Sequence, residues 1–95
     1  MIVRDFLQWI RTAPASDRAE ATSALARAYL YSDLSPDDLG AAEGAMLMLL
    51  DDPSPLVRGA AVWALGRLDR ARLERAAPVH RGETDPGVAA EWAAA

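Results

Sequence analysis

Asp51-Asp52-Pro53-Ser54-Pro55-Leu56-Val57-Arg58-Gly59-Ala60-Ala61-Val62-Trp63-Ala64-Leu65-Gly66 is the stretch whose reading decides the fold. Two acids and two prolines make a turn, because proline lacks an N–H and disfavours helical backbone in the residue before it. Ser54-Pro55 is then a helix start, with serine at the cap and proline at a position whose donor is not needed. The helix predicted from there runs over residues 55–68. Its apolar set is Leu56/Val57, Ala60/Ala61, Ala64/Leu65 and Leu68, with Trp63 alongside. Apolar residues cover most of its girth, the pattern of a helix packed between neighbours.

Toward the N-terminus, Ile2/Val3, Phe6/Leu7 and Ile10 recur at helical spacing and predict a first amphipathic helix over 2–11. Thr12-Ala13-Pro14 ends it. Ser16 or Asp17 is expected to cap a second helix reaching Tyr31, with Glu20 in capping-box register and Ala21, Ala24, Leu25, Ala28 and Tyr29 inward. Ser32-Asp33-Leu34 reads as a short connection. Ser35-Pro36-Asp37-Asp38 repeats the cap-and-proline device, with two acids at the positive helix end. The third helix puts Leu39, Ala42, Met46, Leu49 and Leu50 on one face. Gly40 and Gly44, one turn apart, are open to reading as a place where another helix approaches.

Beyond Gly66, Asp69 is expected to cap a fifth helix holding Leu73, Ala76 and Ala77, which Pro78 kinks or stops. Asp85-Pro86-Gly87-Val88 opens a last alanine-rich helix containing Trp92, expected to fray at its end. Pro55 and Pro86 are 31 residues apart, as are Val57 and Val88, and cap residues Ser54 and Asp85 keep the same offset. A period near 30 built from helix pairs indicates stacked repeats.

Composition agrees. Of 95 residues, 21 are alanine and only one is phenylalanine, which predicts a thin, all-helical core. With no cysteine there is no disulfide, thiolate metal site or cysteine nucleophile. With no lysine there is no Walker-type loop or Schiff base. No apolar run approaches the roughly 18–20 residues a membrane helix needs. Met1 to Phe6 carries Arg4 and Asp5 and is no signal peptide, so the expected location is cytoplasmic.

The net charge of −4 is unevenly spread. Residues 33–52 carry six acids (Asp33, Asp37, Asp38, Glu43, Asp51, Asp52) and no arginine, hence −6. Residues 58–81 carry six arginines against Asp69 and Glu74, hence +4.

The turn Asp52 and helix Arg58, six apart within a helix-pair period, resemble the HEAT pattern, in which such a pair makes polar contacts across repeats. The expected fold is therefore all-α: a HEAT-like helical repeat stack of five to six short helices, one domain over 1–95. Residues 1–52 would supply the N-terminal helices and 53–95 the repeat portion. Asp52, Val57, Arg58, Ala61, Trp63 and Leu65 are its expected structural residues.

Two narrower resemblances cover different parts. Residues 53–92, through "PSPLVRGAAVWALGRL" and "ETDPGVAAEW", resemble the C-terminal HEAT-like tail of epoxyqueuosine reductases, which act on tRNA with cobalamin and iron–sulfur clusters. The chain lacks their catalytic portion and every cluster cysteine. The resemblance therefore implies at most a hold on tRNA through Arg67, Arg70, Arg72 or Arg75. Residues 1–58, through "RTAPASDRAEATSALARAYLYSDLSPDD", resemble the N-terminus of an uncharacterised alphaproteobacterial HEAT-like-repeat family. The join falls at the shared turn Asp51–Arg58, the expectation being a recombined or designed chimera.

No residue pattern points to catalysis. His80 is the sole histidine and reads as a surface residue, and Ser16, Ser35 and Ser54 read as caps. Asp37-Asp38 and Asp51-Asp52 match no calcium loop. Trp9, Trp63 and Trp92 read as packing ahead of base stacking. The expected function is a non-enzymatic, cofactor-free module that binds a protein, as a small acidic inhibitor or antitoxin-like neutraliser would, with no small-molecule substrate. The alternative is a tRNA-binding accessory module. Candidate partner-binding residues are Arg67, Arg70, Arg72 and Arg75 with Asp33, Asp37, Asp38 and Glu43.

Overall fold

In a computed structural model that describes residues 3–10, 12–30 and 35–95, six α-helices and one 3-10 turn follow in order. They are α1 (Val3–Ile10), α2 (Ala15–Leu30), α3 (Pro36–Leu49), α4 (Pro55–Leu68), α5 (Arg70–Ala76), the 3-10 turn Ala77–His80, and α6 (Pro86–Ala94). Helix α4 packs against α2, α3, α5 and α6. Helices α2, α4 and α6 form one layer, and α1, α3 and α5 form the other. The thinnest dimension, 19 Å, is that of two helix layers of about 10 Å each.

The starts of α3 to α6 follow from their turn residues. The Ser35 hydroxyl accepts from the Asp38 amide, and the Asp69 and Asp85 carboxylates accept from Arg72 and Val88. Ser54 holds the cap position of α4 but makes no side-chain cap bond. The Asp52 carboxylate has instead taken the Ser54 amide, which organises the turn one step earlier. Helix α2 begins at Ala15, ahead of both expected caps, so Ser16 and Asp17 lie inside its first turn. Pro78 converts the end of α5 into the 3-10 turn, because it has no N–H for a helical bond.

Helix α4 is the spine of the core. Val57, Ala61, Val62, Ala64 and Leu65 are all buried, as its all-round apolar pattern required. Met46, Leu73 and Val88 belong to the same buried cluster from the neighbouring helices, and Phe6 joins it from α1. The Leu73 side chain comes so close to Gly66 that an added Cβ there would sit 3.2 Å from it.

Helix α2 is rotated from expectation. Ala19, Thr22, Leu25 and Ala26 are buried, Ala24 and Ala28 are exposed, and Ala21 is half-buried; the Tyr29 side chain and residues 31–34 lie outside the described set. Six of its sixteen residues are alanine, so its faces differ little in apolar area and tertiary contacts set the rotation. Thr22 tolerates burial because its hydroxyl donates to the Arg18 carbonyl at 2.6 Å. Leu39, expected inward, is 36% exposed at the open end of α3.

Among the described residues no helix reaches Gly40 or Gly44 on the outer face of α3, where an added Cβ would meet nothing within 4 Å. Alanine at each position is therefore expected to stabilise the fold by about 0.5–1 kcal/mol, raising the denaturation midpoint additively. A Gly40→Ala, Gly44→Ala chain with a lowered midpoint would show that something covers this face.

Candidate functional site

Two arginines in equivalent places connect the repeats. Arg18 is the fourth residue of α2 and Arg58 the fourth of α4. Arg18 donates to the Ala13 carbonyl of its own preceding turn and, at 2.9 Å, to the Asp52 carboxylate of the next. Arg58 donates to the Asp52 and Pro53 carbonyls of its own turn and grips both Glu83 oxygens of the next, at 2.8 and 3.1 Å. Asp52 and Glu83, 31 residues apart, each also accept the amide two residues on. Asp52 thus meets Arg58 through its backbone, while its carboxylate belongs to Arg18. Glu83 and Arg18 are the members that reading the sequence missed; the 31-residue offset applied to Asp52 would have found Glu83.

The Arg58 contact holds the Glu83 carboxyl down at about 2, with the Asp85 amide acting in the same sense, and Glu83 in turn raises Arg58. Against an ordinary value of 4.5 the sign follows. Above pH 4.5 the carboxyl is ionised both folded and unfolded, and its stabilisation is complete. Between 4.5 and about 2 the unfolded chain takes the proton first, so stability falls with pH. In urea melts, the gap between wild type and Glu83→Gln is expected to be full at pH 7 and to close toward pH 2. A gap of constant size would contradict the pairing.

The two charged segments meet in part. Glu43 of α3 and Arg72 of α5 are ion-paired at 2.8 Å, so these two candidates face each other. Asp37 and Asp38 are exposed in the first turn of α3, while Asp33 lies outside the described residues. Arg70 pairs with Glu74 at 3.5 Å with both side chains about two-thirds exposed, a contact worth little. Arg67 lies over the Trp63 ring at 5.5 Å, and Arg75 and Arg81 are exposed.

His80 is not a plain surface residue. Its side chain is 16% exposed and stacks on Trp92 at 5.2 Å. Nδ1 lies 2.9 Å from the Ala76 carbonyl and Nε2 3.0 Å from the Asp51 carboxylate. The cluster ties the α3–α4 turn to α6.

Two open features remain: a groove of about 430 Å³ around Asp51, Arg58, Val79, His80 and Glu83, and the face shared by α4 and α6. On that face one groove, about 350 Å³, lies among Leu56, Gly59, Ala60, Gly87, Val88 and Glu91. A second, about 300 Å³, lies among Val62, Trp63, Gly66, Arg67, Arg70 and Glu91. Glu91 lines both, so they run on from each other along α4. Leu56 is 61% exposed at one end, and the half-buried Trp63 with Arg67 stands at the other. No group of three metal-ligating side chains occurs among the described residues. No helix of the described residues is long and apolar enough to cross a membrane.

A family model described as a HEAT-like repeat matches residues 16–68, more than half of the chain, from the first turn of α2 to the end of α4. The match passes through the Asp51–Arg58 turn, and shows neither the reductase-tail nor the alphaproteobacterial resemblance. No curated protein and no solved structure matches the chain. The paired layers, the recurring arginine–acid contacts and this match agree: the chain belongs to the HEAT-like repeat family.

Proposed function

We propose that the chain is a non-catalytic module that binds another protein through the face formed by α4 and α6. One observation carries this reading: an open groove along the best-buried helix of the fold, mostly apolar at its first end, with Leu56 61% exposed beside it. A monomer leaves such a side chain in water without gain, whereas an interface core favours it. Helical-repeat stacks present extended surfaces of this kind. At 95 residues and a net charge of −4, a small inhibitor or antitoxin-like neutraliser of a partner protein is the form this role takes most simply.

A photo-crosslinking residue at position 56 tests the reading, with one at Met48, 58% exposed on the opposite layer, as control. Discrete protein adducts in cell extract are expected from position 56, suppressed by excess unlabelled chain. Equal adducts from both positions would defeat it.

A second reading, a tRNA-binding accessory module, is favoured by the exposed Arg67, Arg70, Arg75 and Arg81 along the end of α4, α5 and the 3-10 turn. Arg72 is engaged with Glu43, so the informative variant replaces Arg67, Arg70 and Arg75 by alanine. A tRNA shift at low salt that this variant abolishes would support the reading; no shift would remove it.

A further inference from the structure

From the chemistry along the α4–α6 track, we infer that it takes a short peptide segment with an apolar side chain at one end and carboxylates at the other. The inference rests on the protein-binding reading above and adds the kind of segment bound. From residue 55 to residue 67, α4 advances about 18 Å, the length of five or six extended residues. Over the first part Pro55, Leu56, Ala60 and Val88 give a mostly apolar lining, which a hydrocarbon side chain fits, and the acids Asp85 and Glu91 at its edge keep ligand carboxylates to the other half. Over the second part, Trp63 offers a flat apolar surface and Arg67 and Arg70 offer guanidinium groups.

Both arginines have donors to spare. Arg67 contacts the Trp63 ring, and Arg70 holds only a long, exposed contact to Glu74. The guanidinium fork suits carboxylates, and a carboxylate arriving beside Trp63 is shielded from water on one side. Glu91, between the two halves, supplies an acceptor for peptide N–H groups. A nucleic acid also offers anions to these arginines. It brings no hydrocarbon side chain for the first half of the track, however, and its many phosphates face a chain of net charge −4. The acidic peptide satisfies both halves.

The test uses the full chain and two labelled six-residue peptides. One carries a leucine near one end and two glutamates at the other; its twin has lysines in place of the glutamates. In fluorescence anisotropy at low salt the glutamate peptide is expected to bind at least tenfold tighter. The double variant Arg67→Glu, Arg70→Glu is expected to reverse that preference, and Leu56→Asp to weaken both peptides. Both arginines are exposed, so the charge reversal leaves the fold intact, which circular dichroism checks.

Equal binding of the two peptides, a preference that survives the charge reversal, or tighter binding of a single-stranded RNA hexamer would each overturn the inference. Position-56 adducts that persist while neither peptide binds would overturn it alone and leave the protein-binding reading standing. Absence of those adducts removes both.

Discussion

Replacing Val57 by Asp is expected to abolish cooperative unfolding altogether. Val57 has no exposed surface and sits in the first turn of α4, the helix on which α2, α3, α5 and α6 all pack. A carboxylate there has no cation within the core cluster, whose members are all apolar. Burying an unpaired charge costs several kcal/mol even after local relaxation, against a total stability of roughly 5–15 kcal/mol for a domain. A chain of 95 residues with an alanine-rich core lies at the low end of that range. The variant should lose its sigmoidal thermal transition and most of its helical circular dichroism. A cooperative melt in Val57→Asp would show that α4 is not the central helix.

The second large effect is expected from Asp52→Ala. The Asp52 side chain is 10% exposed and serves Arg18 at 2.9 Å and the Ser54 amide at 2.9 Å. Removing it leaves an arginine that is itself 18% exposed, and whose Nε already has no partner, without a counter-charge and with only the Ala13 carbonyl among the described residues to donate to. It also undoes the turn that sets the start of α4. A loss of about 2–4 kcal/mol follows, or a melting temperature lower by roughly 10–20 °C for a domain of this size. Asp52→Asn separates the two roles, since its amide oxygen still accepts from Ser54 while the charge is gone. It should recover part of the loss. If Asp52→Ala melts within about 2 °C of wild type, the Arg18 contact is a surface pair of little value.

Helix α4 was readable because two signals coincide on it: a proline start and apolar residues on every side, Val57 to Leu65. The period of 31 was readable because Pro55/Pro86 and Val57/Val88 are identical pairs. The rotation of α2 was not, since alanine at 21, 24, 26 and 28 offers nearly the same area whichever face turns in. Glu83 escaped notice because its counterpart is an aspartate, so the repeat conserves a charge and a hydrogen-bond role rather than a residue type. The Glu43–Arg72 and His80–Asp51 contacts, each 29 residues apart, depend on how helices lie across one another. The α4–α6 track is a gap between two elements, and no single segment records it.

The equivalence of the Arg18–Asp52 and Arg58–Glu83 contacts makes the array's length adjustable. Register position four of α6 is Ala89, where α2 and α4 have arginine. An in-frame second copy of residues 55–85, inserted after residue 85, would place a new Arg58 at that position and a new Glu83 within its reach. The lengthened chain then carries three arginine–acid contacts instead of two, while the copied α4 takes the place of α6 beside the original α4. Selection or design acting on this chain has a unit of growth, and it is 31 residues long.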